Sequence, residues 1–110
     1  MEDRRFFRRT GYDGTIRCNI IREGSSFDAI TTSVNISGGG IRLTSRHDLE
    51  SPQNIALELF VPGYQKPIPI RGEVVWAHNS DAHDDYLAGV RFTKIDSYDR
   101  QMILDYVHFS

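Results

Sequence analysis

Apolar and polar residues alternate along most of this chain, in short runs divided by turn residues. Thr15 to Ile21 sets Ile16, Cys18 and Ile20 on one face and Arg17 and Asn19 on the other. A period of two is the signature of a half-buried strand. Glu23-Gly24-Ser25-Ser26 reads as a turn, and Phe27 to Asn35 as the partner strand. Glycines 38 to 40 interrupt the pattern before Ile41-Arg42-Leu43-Thr44 resumes it. Ser51-Pro52 marks a loop, Ile55 to Val61 has apolar residues at every second position, and Pro62-Gly63 turns the chain. Ile68 to His78 is a longer β-branched run centred on Val74-Val75-Trp76. Polar residues from Asn79 to Asp85 predict a hairpin loop, and Tyr86 to Thr93 a returning strand with Leu87, Val90 and Phe92. About six short strands so spaced predict an all-β domain, an antiparallel barrel or a sandwich.

The period changes near the end. Asp96 or Ser97 can cap a helix, and Tyr98, Met102, Ile103, Tyr106 and Val107 follow at helical spacing. One amphipathic C-terminal helix is expected to lay that stripe on the strands. With 110 residues there is room for one domain and one modest core. No apolar run approaches the roughly 20 residues of a membrane span, and no apolar stretch follows the basic N-terminus as in a signal peptide. Cys18 is the single cysteine, which leaves no internal disulfide framework and no cysteine metal cluster. On a strand it reads as a small buried apolar residue in a cytoplasmic protein.

Charge is distributed unevenly. The net charge is -2, yet residues 1–9 hold four Arg against Glu2 and Asp3, a local +2, so the rest sums to -4. Positive charge focused on one short segment suits a small anion better than a nucleic-acid polymer. Of the 13 basic residues 11 are Arg, and at the N-terminus all are. Guanidinium groups pair in bidentate fashion with phosphate and with the O6/N7 edge of guanine. Phe6 and Phe7 are out of place in a merely solvated tail. Further along stands Asn35-Ile36-Ser37-Gly38-Gly39-Gly40. Asn35 and Ser37 bring donors and acceptors, and the glycines permit positive φ and close approach of backbone amides to a ligand. The segment is not a phosphate-binding P-loop, for it lacks the Gly-Lys-Ser/Thr ending and leads into a strand. Basic leader and glycine loop together point to a flat, anionic ligand, with a nucleotide as the first expectation.

Asp3-Arg4-Arg5-x-Phe7-x-Arg9 followed by Asn35-x-Ser37-x-x-Gly40 resembles the PilZ domain family, whose signature is RxxxR and then (D/N)xSxxG. Gly72-Glu73-Val74-Val75-Trp76 and Ala88-Gly89-Val90-Arg91-Phe92 are similar to the family's late strands. The resemblance implies a cytoplasmic bacterial receptor for cyclic di-GMP, with a six-stranded antiparallel β-barrel and a C-terminal α-helix. It divides the chain into an Arg-rich ligand-binding segment, residues 1–13, and a barrel with its helix, residues 14–110. It implies that Arg5 and Arg9 grip guanine and phosphate, with Arg4 beside them, that Asn35 and Ser37 read a guanine edge, and that Gly39 and Gly40 close the turn. The alternative register, Arg4 with Arg8, also fits the spacing, and there Asp3 takes the place before the motif. Binding would order the Arg segment onto the barrel and signal to a protein partner.

Elsewhere the residues carry no chemistry of their own. Trp76 reads as core or barrel-surface packing. His47, His78, His83 and His108 are scattered, and Asp81 to Asp85 reads as a hydrated loop rather than a metal site. No nucleophile set or carboxylate pair stands out, so neither catalysis nor a cofactor is expected, and no membrane insertion. Two competitors remain: an interaction adaptor of the same fold that does not use nucleotide, and a small barrel for single-stranded nucleic acid. The acidic body fits the second poorly.

Overall fold

Six antiparallel strands close into a barrel in the computed structural model, which describes residues 14–22, 24–80 and 85–109. Arg4, Arg5, Arg8 and Arg9 lie outside the described residues. The strands are β1 (Thr15–Arg22), β2 (Ser25–Thr32), β3 (Gly40–Ser45), β4 (Gln53–Phe60), β5 (Ile68–Ser80) and β6 (Asp85–Lys94). Their order around the ring is β1-β2-β3-β6-β5-β4, with β4 pairing back onto β1. The closed barrel is thus the outcome among the two all-β architectures the alternation allows. Closure satisfies strand edges that an open sheet would expose.

Alternation sets the inside. Ile16, Cys18 and Ile20 from β1 meet Ile55, Leu57 and Leu59 from β4, Ile68, Ile70 and Val74 from β5, and Ala88, Val90 and Phe92 from β6. Leu49, in the β3–β4 connection, joins the same core, and Ile36, Val61 and Ile103 join it from other connections and the helix. Cys18 is 1% exposed, and burial, with Asp28 nearby, pushes its thiol up to about 12. It is the inert apolar residue that its strand position predicts.

The ring is stitched unevenly. β3 pairs with β6 along its whole length, from Gly40 opposite Arg91 to Ser45 opposite Tyr86. Toward β2 it pairs only where Ala29 faces Ser45 and Ile30 faces Thr44. Beyond that rung the Thr31 hydroxyl donates to the Arg42 carbonyl at 2.5 Å, a side chain bridging where the ladder has ended.

Helix α1 (Ser97–Phe109) packs its buried Ile103 against the barrel core. Asp96 caps it: its Oδ2 accepts from the amides of Tyr98 at 3.0 Å and Asp99 at 3.3 Å. Ile103 is the buried centre of its inner face. Asp99 is buried and accepts from the Tyr64 hydroxyl at 3.1 Å, which ties the helix to the β4–β5 connection. Partial burial, and then that bond to a carboxylate, push the Tyr64 phenol above its ordinary value. Tyr98 departs from the expected stripe. It is 65% exposed, because the first turn is held by the Asp96 cap and by Asp99, not by an aromatic contact.

Two other expectations are corrected. β2 was expected to run to Asn35, but it stops at Thr32, and Ser33–Asn35 form a single 3-10 turn. The predicted loop after His78 begins later, since β5 continues to Ser80.

Candidate ligand-binding site

The 3-10 turn gives the site its first residue. Asn35 Nδ2 donates to Thr32 Oγ1 at 2.9 Å, back across the turn, and Arg42 Nη2 donates to Asn35 Oδ1 at 3.1 Å. Arginine only donates, so the amide oxygen faces Arg42. One N–H and one lone pair of Asn35 remain for a ligand.

After an isolated bridge between Ile36 and Ile41 the chain reverses tightly. The Ser37 amide donates to the Gly40 carbonyl at 2.9 Å. The Ser37 hydroxyl oxygen accepts from the amides of Gly39 and Gly40, both at 3.2 Å, and lies 3.3 Å from the Gly40 carbonyl. Its groups therefore shape the loop, a part that the motif alone does not disclose. The Gly39 carbonyl accepts from the Phe92 amide at 2.9 Å and pins the turn to β6.

Of the glycines in this turn Gly40 is required for space, and none is required for positive φ. Among the described residues positive φ belongs to Gly14, Gly24 and Gly63. A Cβ on Gly40 would stand 2.5 Å from the Val90 carbonyl oxygen, so only glycine lets β3 approach β6 here. A Cβ on Gly39 would meet nothing within 4 Å, and that position is open toward solvent. Gly38 has Leu104 of α1 against it, 3.4 Å from where a Cβ would lie.

The site extends over the outer face of β3, β6 and β5. One rung runs Gly40, Arg91, Glu73, and the next runs Arg42, Gly89, Trp76. Glycine on each rung removes side-chain bulk between two arginines and an indole. The Trp76 ring lies directly over Gly89, where any Cβ would collide with it. A register shift between Val74 and Trp76 marks a β-bulge. Val74 is buried, whereas Val75 is 47% and Trp76 39% exposed, so two consecutive residues face outward. His78 stacks near Trp76, centroids 5.5 Å apart and planes 20° from parallel. The result is a shallow depression of about 470 Å³ lined by Asn35, Ser37, Gly39, Gly40, Arg42, Trp76 and Arg91.

The four expected site residues within the described residues, Asn35, Ser37, Gly39 and Gly40, thus come together. Arg42, Arg91 and Trp76 join them without having been singled out as site residues. The outward phase of their strands signalled Arg42 and Arg91, but the bulge at Val75 hid that of Trp76, and the β3–β6 adjacency that gathers the three is not readable along the chain. A larger cleft, about 720 Å³, lies at the β2–β3 seam beside Phe27, Ile30, Arg46 and His47. It contains none of the motif residues.

The chain enters the barrel at the rim of this depression. Ser33 donates its amide to the Gly14 carbonyl at 2.8 Å, two residues before Asn35. Gly14 therefore lies beside the turn that carries Asn35. Among the described residues no three His, Cys, Asp or Glu side chains gather as a metal site, and no helix is long and apolar enough to cross a membrane.

Comparison with known proteins agrees with this architecture. Among solved structures, that of the Bacillus subtilis inhibitor of motility, MotI/DgrA, superposes with a TM-score of 0.73 at 19% sequence identity. The match covers 94% of this chain and 51% of that one, so the chain spans about half of that protein. At such identity the likeness concerns the fold. No curated protein sequence matches significantly. The sequence profile of the PilZ domain matches residues 2–109, essentially the whole chain and both motifs. With a profile match of that extent over a closed six-stranded barrel, the chain belongs to the PilZ domain family.

Proposed function

We propose that this chain is a bacterial cytoplasmic receptor for cyclic di-GMP, and that the depression over β3, β6 and β5 is half of its binding site. PilZ domains as a family are binding and regulatory modules for that dinucleotide. The other half is the segment 1–13, with Arg5 and Arg9 gripping guanine and phosphate and Arg4 beside them. The observation that carries the proposal is the Ser33–Gly14 hydrogen bond, which sets Gly14 beside the turn that carries Asn35. Gly14 is five residue steps from Arg9, and a chain reaches about 3.3–3.6 Å per residue, so Arg9 has roughly 17 Å of backbone with which to reach the depression.

The chemistry fits a flat dianion. Arg42 and Arg91 supply fixed positive charge, Asn35 one donor and one acceptor, and the Trp76 face a stacking surface for a purine. Ser37, Gly39 and Gly40 hold the turn in place. Binding fixes residues 1–13 over the ligand, and the covered surface is then offered to a protein partner, an order–disorder switch. Calorimetric titration with cyclic di-GMP tests this, wild type beside Arg9→Ala. Saturable binding, weakened at least tenfold by the substitution and weakened by salt, is the expected result.

One observation favours a second reading. Asn35 and Ser37 both have internal partners, as they would in an adaptor that keeps the motif for its fold alone. A flat titration on folded protein would select that reading.

A further inference from the structure

Arg91, which lies outside both motifs, lines the depression. Arg91 faces outward on β6 between two neighbours, Gly40 on β3 and Glu73 on β5. On the Gly40 side nothing projects, and Gly40 lines the depression whereas Glu73 does not. On the other side Arg91 Nη2 donates to Glu73 Oε1 at 2.6 Å. Among the described residues the guanidinium fork has no second acceptor. Its side chain is 58% exposed and that of Glu73 31%, so the arginine can swing and the carboxylate is the more firmly seated partner. Across β5 from Glu73 stands Asn54, a neutral residue, so no other basic side chain pairs with that carboxylate on its far side.

Resting on the cyclic di-GMP reading, we infer that Glu73 is a built-in competitor of the ligand phosphate for Arg91, and so tunes how tightly this surface holds the dinucleotide. Without ligand, Arg91 is drawn toward Glu73. To contact a phosphate over Gly40 it must loosen or share that bond. An exposed ion pair is a weak clamp, on the order of a few tenths to 1 kcal/mol. A phosphodiester group of the dinucleotide, itself a monoanion, can displace it, but at a cost that lowers affinity.

A double-mutant cycle separates this from simple charge repulsion between Glu73 and the ligand. Cyclic di-GMP binding is followed through Trp76, the only tryptophan, and by calorimetry, for wild type, Glu73→Gln, Arg91→Ala and the double variant. Thermal melts of each confirm an intact barrel. The expected pattern is about two- to fivefold tighter binding for Glu73→Gln, from the loss of a weak exposed pair. Arg91→Ala weakens binding about tenfold, and Glu73→Gln then changes nothing further in the Arg91→Ala background. Unchanged affinity in Glu73→Gln overturns the inference, and so does a gain that persists without Arg91. Absence of any binding by the wild type is a different result: it removes the receptor reading itself.

Discussion

Arg42 holds Asn35 by its carbonyl end, Nη2 to Oδ1 at 3.1 Å, while Thr32 takes the other end at 2.9 Å. A residue of β3 thereby fixes the orientation of a motif side chain that stands in the turn before it. Arg42→Ala should free the Asn35 amide to rotate and remove one cation from the depression. Cyclic di-GMP affinity is expected to fall about tenfold, within the range for a hydrogen bond to a charged group. The melting temperature should barely move, since the pair is exposed, and calorimetry beside a thermal melt checks both.

Gly40→Ala addresses the close approach of β3 to β6. The added Cβ meets the Val90 carbonyl oxygen at 2.5 Å, and a backbone atom in a paired strand cannot step aside. Destabilisation of about 1–3 kcal/mol is expected, the usual cost of overpacking. Gly39→Ala, with open space around it, is the control and should stay within about 0.5 kcal/mol. Denaturant unfolding of the two variants measures the contrast.

Trp76 should report ligand directly. Stacking of a purine on its exposed face is expected to quench its fluorescence on titration. Trp76→Ala should cost about 1–3 kcal/mol of binding, the range for aromatic–base stacking. Circular dichroism should show the barrel retained, because the ring packs on the outside over Gly89.

Cys18 gives a pH test of the core. Its folded value of about 12 lies above the ordinary 9.0, so the neutral thiol is the form the fold favours. Its contribution is fully present below pH 9 and is lost as pH rises toward 12, by at most about 1.4 kcal/mol per pH unit. Cys18→Ala should flatten that alkaline decline in unfolding free energy. In the native wild type at pH 8 the thiol should react with a disulfide reagent only at the rate of global opening.

The strands were legible because burial on one face writes itself as alternation, and Ile16, Cys18 and Ile20 needed nothing else. The end of β2 was not, for Thr31-Thr32-Ser33-Val34-Asn35 continues with strand-compatible residues up to a turn that Asn35 and Thr32 close between themselves. The bulge at Val75 was hidden within a β-branched run, so the outward place of Trp76 was hidden with it. Asn35, Ser37, Gly39 and Gly40 announced a site as a contiguous motif. Arg42, Arg91 and Trp76 belong to it through pairings between distant strands, which no local pattern encodes. The reason for Gly40 was misread for the same cause: the obstacle is Val90, about fifty residues away in sequence.

The uneven stitching of β3 has a mechanical consequence. Firmly laced to β6 and only briefly to β2, it should move with β6 and β5 as one plate, and that plate carries Arg42, Gly89 and Trp76. If the barrel breathes, it parts on the β2 side, and the plate stays flat while the far wall gives way. Amides at the Ala29–Ser45 seam should then exchange with solvent well before those joining Ile41 to Val90.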